Sequence, residues 1–303
     1  MAGFAQAGTS VTITNYNYDL SENVQVFAKI PKRVISTNGS ATELLLSLGL
    51  EKRMLATAYL DNPPSPELED AYGRIPVLSR LYPGKEQVLG LEPDMLVGWQ
   101  SAFAPRVLGD PSYWNRLGVG TFILRDSSAL PKSLGNIHAD IRDLGRIFRV
   151  EERAEEILRS LDSELSGLKA RAALREGDRL RALILECLPG GRLRAWGDNS
   201  TPGRMLQAIG AENVFSLTGD QNKEGIVKAD PDAVIFIYMD STLRDTLRLM
   251  EDFRTDPILS YTKASRTGRL GLVPLSESYC PGVRLGMGLR RMAGILFGDG
   301  PQG

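Results

Sequence analysis

The residue types that most often carry chemistry are scarce in this chain. One histidine, His138, and two cysteines, Cys187 and Cys280, occur among 303 residues. A histidine-rich metal site or an iron–sulfur cluster needs more ligands than these, so no metal centre is expected. General acid–base work would have to rest on carboxylates. His138 reads as a surface or core-edge residue of a helix. No G-x-G-x-x-G follows an early strand; the first clear strand leads into Asn38-Gly39-Ser40. Gly286-Met287-Gly288 sits in a late helical pattern. No Walker loop, Gly-x-Ser-x-Gly elbow or Ser/His/Asp set is visible. The chain is therefore expected not to be an enzyme. The competing reading is a two-lobed Rossmann-like enzyme such as a glycosyltransferase, acting through carboxylates.

The most informative pattern is a repeat. GKEQVLGLEPDMLVGW (84–99) aligns without gaps to NKEGIVKADPDAVIFI (222–237), so Lys85, Glu86, Pro93 and Asp94 recur as Lys223, Glu224, Pro231 and Asp232. A second echo joins SATELLLSLG (40–49) to STPGRMLQAIG (200–210). Each copy of the first segment reads as a short helix, a Pro-Asp turn and a buried strand. Proline ends the helix and restricts the residue before it. The turn aspartate and the apolar residues are thereby explained. The glutamates are not. Each falls in the first turn of its helix, where a carboxylate gains only roughly 0.3–1 kcal/mol from the helix end. Recurrence on two lobes points to a shared external role.

The elements around these segments alternate strand and helix, which implies parallel sheets covered on both faces. Strands are expected at 33–37, 54–58, 95–97 and 120–124, and again at 181–186, 213–215, 233–238 and 269–273. A helix is expected over 42–48, opened by a capping box from Ser40 to Glu43 and stopped by Gly49. A helix fits 133–148, and a longer one runs from Glu151 to about Ala172, with Ile157, Leu158, Leu161, Leu165 and Leu168 as its apolar stripe. The expected organisation is an N-terminal edge segment (1–30), an N-terminal α/β lobe (31–132), helices including a long inter-lobe helix (133–175) and a C-terminal α/β lobe (176–303).

In open α/β sheets ligands bind outside the carboxyl ends of the strands. That rule selects Asn38, Gly39, Tyr59, Trp99 and Phe103 on the first lobe. On the second it selects Arg192, Arg194, Trp196, Tyr238, Tyr279 and Arg284. Aromatic walls with guanidinium groups suit a large, flat or anionic chelate. Cys187 and Cys280 lie near the same strand ends, where oxidation could join them.

Composition excludes other classes. With 36 basic and 37 acidic residues the formal net charge is -1, which argues against nucleic acid and against electrostatic membrane binding. No apolar run approaches the roughly 20 residues of a membrane span. MAGFAQAGTS has neither a basic n-region nor a long apolar h-region, so an export signal, if used, is expected to lie outside this sequence.

The order RVISTNGSATELLLSLGLEKRMLAT, PGKEQVLGLEPDMLV, LGVGTFILRD, a long linking helix and PGVRLGMGLRRMAGILFGDGP resembles the class III substrate-binding proteins of ABC importers. These serve ferric siderophores, haem and cobalamin. The resemblance covers about Pro31 to Phe297. It implies two doubly wound α/β lobes with parallel sheets, joined by one long backbone helix, with the ligand cleft between them. It implies that Glu86 and Glu224 dock onto arginines of a dimeric permease, and that the protein is a periplasmic or otherwise extracytoplasmic monomer. Many members carry a lipid on an N-terminal cysteine, which this chain lacks. Relatives of the cobalamin type place a tryptophan where Trp99 stands. Arg80 matches a position where a basic residue meets anionic siderophores. Tyr82 would be the haem-iron ligand, at a spacing from Glu86 that departs from the haem pattern. No intrinsic cofactor is expected. The ligand expected first is a ferric siderophore, from the arginines, then a corrinoid, then haem.

Overall fold

A computed structural model describes residues 10–128, 131–174, 178–188 and 190–298. The chain divides into two compact units. The first holds residues 10–60, then 64–128 and 137–158. The second holds 61–63, 131–136, 159–174, 178–188 and 190–298. Each is an α/β unit.

The first unit opens with an antiparallel hairpin, β1 (Val11–Tyr16) and β2 (Glu22–Phe27). Then come β3 (Val34–Ser36), α1 (Gly39–Ser47), β4 (Met54–Ala56), α2 (Glu69–Gly73), α3 (Lys85–Gly90), β5 (Met95–Gly98), α4 (Pro111–Arg116) and β6 (Gly120–Ile123). The sheet order is β4-β3-β5-β6, all parallel. Ile35, Leu96 and Ile123 pack with Val88, Phe103 and Trp114 in one fully buried cluster. The free edge of β6 is closed by side chains. The Asn15 carboxamide donates to the Ile123 carbonyl (3.1 Å) and accepts from its N–H (2.8 Å). Gln25 does the same at Thr121 (2.8 Å each). Two amides of the hairpin thus occupy backbone groups that would otherwise invite a foreign strand.

Two helices follow, α5 (Leu134–Phe148) and α6 (Glu151–Ala173). His138 is half-buried on α5. In α6, residues to Leu158 fall in the first unit and those from Arg159 in the second.

The second unit runs β7 (Arg181–Leu188), β8 (Arg192–Ala195), α7 (Thr201–Ala208), β9 (Glu212–Asn213), β10 (Gly219–Gln221), α8 (Lys223–Ala229), β11 (Ala233–Tyr238), α9 (Leu243–Thr255), α10 (Lys263–Thr267), β12 (Leu270–Pro274) and α11 (Leu285–Phe297). Strands β7, β11 and β12 are parallel neighbours, and β9 pairs in parallel with the start of β7. The parallel part therefore has the order β9-β7-β11-β12, which repeats β4-β3-β5-β6. Strands β8 and β10 are an antiparallel addition.

Two local expectations need correction. Helix α1 begins at Gly39, with Asn38 as its N-cap in extended backbone and no side-chain cap. Ser40 and Glu43 form no capping box, because both side chains are used elsewhere. Ser40 Oγ accepts from the Trp99 indole (3.1 Å), and Glu43 accepts from the Ser65 N–H (2.8 Å). The strand expected at 213–215 is confined to Glu212–Asn213. Gly49 does stop α1, at φ +77.

Candidate functional site

In the first sheet the chain leaves β3 toward β4 on one side and β5 on the other. That reversal opens a crevice at the carboxyl ends of β3 and β5, the usual ligand position in such sheets. Asn38 follows β3 and Trp99 follows β5. Ser40 Oγ joins them, accepting from the Trp99 indole and from Asn38 Nδ2 (2.7 Å). Both are buried, Trp99 at 6% exposure. They form the floor of this end of the unit.

Tyr59 stands above that floor. Its backbone lies in the left-handed region (φ +49), which costs a bulky residue about 1–2 kcal/mol. Hydrogen bonds hold it there: Gly39 N–H donates to its carbonyl (3.0 Å), and its own N–H donates to Ser79 (3.2 Å). The Tyr59 ring stacks on Tyr82 (4.9 Å, 23°) and meets Trp99 edge-on (5.7 Å, 63°). The Tyr82 hydroxyl is hydrogen-bonded to Ser101 Oγ at 2.6 Å. Leu60, Val77 and Leu81 in the adjoining segments are 44%, 60% and 65% exposed. Arg80 is exposed beside them. The result is an aromatic and apolar end with one basic side chain. Phe103 does not share in it. It is fully buried in the core cluster, so the expectation that it meets ligand is corrected.

The second unit differs. Arg192 and Arg194 lie on antiparallel β8 rather than in a loop. Arg192 pairs with Asp220 (3.3 Å). Arg194 reaches Glu186 (3.6 Å) and lies over the Trp196 ring (5.6 Å). Burial raises the Glu186 carboxyl above its ordinary range, while Arg194 and the Trp196 indole pull it down. Trp196 meets Tyr279 at 5.7 Å. Tyr238 ends β11, half-buried, and burial raises its phenol. Arg284 is buried, and donates to Ser276 Oγ (3.1 Å) and the Pro63 carbonyl (2.7 Å). Arg291 holds Glu277 through two bonds, 2.7 and 3.1 Å. The guanidinium groups expected to greet an anion are thus engaged by the protein itself. Cys187 and Cys280 are both buried, and no disulfide joins them, so the pairing that oxidation could make is not formed. Burial raises the Cys187 thiol further.

Asp61-Asn62-Pro63 also belongs to this end. The tripeptide is written before α2 yet packs with the second unit. No sequence motif marks it.

The two repeated glutamates are exposed in the first turns of α3 and α8. Neither carboxylate forms a hydrogen bond or ion pair among the described residues. Their neighbours are occupied: Lys85 Nζ lies over the Tyr113 ring (4.6 Å), and Lys223 pairs with Asp256.

A family profile described as "Periplasmic binding protein" matches residues 34–274. An uncharacterized ABC transporter substrate-binding lipoprotein of Bacillus subtilis (strain 168), YvrC, is 23% identical over 220 residues, covering 72% of this chain and 67% of the relative. The vitamin B12-binding protein of Pectobacterium carotovorum subsp. carotovorum (strain PC1) is 25% identical over 213 residues, 68% and 71% of the two chains. Among solved structures, a periplasmic binding protein from Veillonella parvula DSM 2008 superposes with a TM-score of 0.87 at 25% identity, over 96% of this chain and 92% of that one.

Proposed function

This chain belongs to the Periplasmic binding protein family, and on the premise that it is an ABC substrate-binding protein we propose that its cargo is a bulky, largely uncharged metal chelate of the corrinoid class. One observation carries this reading. The first unit offers stacked aromatic faces, Tyr59 on Tyr82 against Trp99, flanked by exposed Leu60, Val77 and Leu81. Such a surface gains from covering apolar area. The arginines of the second unit support it, because Arg192 and Arg194 face carboxylates and Arg284 is buried against Ser276 and the Pro63 carbonyl. The vitamin B12-binding relatives agree with it.

A ferric siderophore is the second reading. It draws on Arg80, which is exposed and has no hydrogen-bond or ion-pair partner among the described residues. Haem ranks third, because the Tyr82 hydroxyl is already engaged by Ser101. Ligand contacts in this reading come from Tyr59, Tyr82, Trp196, Tyr238 and Tyr279, with Asn38 and Trp99 as support. Glu86 and Glu224 meet the permease dimer, and the protein acts outside the cytoplasm.

The absorption spectrum and metal content of protein purified from its native host test the cargo. Corrin bands with cobalt are expected. An iron charge-transfer band would favour the siderophore, and a Soret band would overturn both readings.

A further inference from the structure

Asp61 is a buried carboxylate without a structural task. Its backbone is fixed: its carbonyl accepts from the Asp240 N–H (3.1 Å). Asn62 donates to the Tyr238 carbonyl (3.4 Å) and Asp240 Oδ1 (3.3 Å), and accepts from the Ser276 N–H (3.2 Å). The Pro63 carbonyl accepts from Arg284. The tripeptide is thus pinned to the carboxyl ends of β11 and β12, the ligand end of the second unit. The side chain takes no part in this. The residue is only 8% exposed, and its Oδ1 is buried with no hydrogen-bond partner.

No charge compensates it. Burial alone raises the carboxyl to about 7. The ionisable groups of the elements it is tied to are Asp240, Tyr238, Arg284, Glu277 and Arg291. Arg284 is committed to Ser276 and Pro63, and Arg291 to Glu277. Buried polar atoms in folded proteins nearly always have a partner, and the exceptions mark strain or function. A rigidly mounted, unpaired acceptor is suited to a donor that arrives from outside.

We infer that Asp61 is a ligand-contacting residue, whose carboxyl group accepts a hydrogen bond from an uncharged N–H or O–H donor, such as a carboxamide or hydroxyl, on the captured chelate. This rests on the proposed capture function. It adds a residue outside the aromatic set and a chemical demand on the cargo: donors, not anionic oxygens, at this end. An incoming anion would meet a carboxylate. A donor that bonds the ionised form lowers the carboxyl pKa and so expels its proton.

The test is calorimetric titration of the whole protein with cyanocobalamin at pH 7, in buffers of different ionisation enthalpy, for wild type, Asp61→Asn and Asp61→Ala. Wild type is expected to release up to about half a proton on binding, since a group with a pKa of about 7 is half ionised there. Asp61→Ala is expected to bind roughly tenfold more weakly. Asp61→Asn keeps an acceptor oxygen, so it retains most affinity but releases no proton. Wild-type affinity and proton release in both variants would overturn the role of Asp61 while leaving capture intact. Failure of wild type to bind would overturn the corrinoid reading and this inference with it. Melting of the ligand-free protein checks the premise. The folded pKa lies above the unfolded one, so wild type loses stability as pH rises from about 4 to about 7. Asp61→Asn should therefore melt higher than wild type at pH 8 and gain less at pH 5. A lower melting point at pH 8 would show the carboxylate already partnered and overturn the inference.

Discussion

The two copies of the Lys-Glu…Pro-Asp segment share their scaffold and differ in what surrounds it. Asp94 accepts the N–H groups of Lys32 and Arg33, both at 2.8 Å, at the start of β3. Asp232 accepts the N–H of Arg181, also at 2.8 Å, at the start of β7. The residue before each proline, Glu92 or Asp230, is left-handed, at φ +46 and +41. The same turn therefore ties a helix to the start of the neighbouring strand in both units. The carboxyl ends of the two sheets have diverged. The first unit presents stacked aromatic faces, and the second sets Trp196 and Tyr279 beside arginines that face carboxylates. A duplicated framework has been kept while the surfaces it carries took different chemistry, and the glutamates are the exposed feature common to both.

The aspartates give the largest structural effect. Asp94→Ala strands two backbone donors and is expected to cost about 2 kcal/mol. Asp232→Ala strands one and weakens the Lys263 contact (3.7 Å), for about 1 kcal/mol. Urea unfolding followed by tryptophan fluorescence reads both, since Trp99 and Trp114 report the first unit and Trp196 the second. No effect from either substitution would break the equivalence of the two turns.

A smaller effect separates the lysines. Lys223 and the N–H groups of Ile258 and Leu259 hold the Asp256 carboxyl down to about 2. That folded value lies below the unfolded one, so its contribution is present above about pH 4 and fades as pH falls toward 2. The loss of melting temperature in Asp256→Asn should therefore shrink between pH 5 and pH 3. Lys85→Met in the first unit, where the partner is the Tyr113 ring, should show a loss that does not change over that range. Parallel pH profiles for both would erase the distinction.

Much of the framework was legible because its signals are local. Apolar runs marked the strands, Gly49 stopped α1, and the repeat showed two units before any strand pairing was known. The failures have two causes: side chains recruited across sequence distance, and a strand whose direction the pattern does not show. Ser40 looked like a helix cap and instead serves Trp99, 59 residues away. Arg284 is selected as a ligand-end arginine and is bound to Pro63, 221 residues away. The carboxyl-end rule selected Tyr59 and Trp99, but it misread Arg192 and Arg194 because β8 runs antiparallel, which composition does not announce. Asp61 was invisible for the same reason: only the tertiary fold leaves its carboxyl group buried and unpartnered.

The claim that joins both units is that their common glutamates serve the transporter and not the cargo. Reconstituting the cognate permease with wild type or the Glu86→Arg, Glu224→Arg double variant, and measuring ATPase stimulation beside cyanocobalamin affinity, addresses it directly. Reversal would place like charges against the permease arginines that the family resemblance implies. The account predicts stimulation falling to the basal rate with ligand affinity unchanged. Full stimulation by the double variant, or a matching loss of ligand affinity, would contradict it.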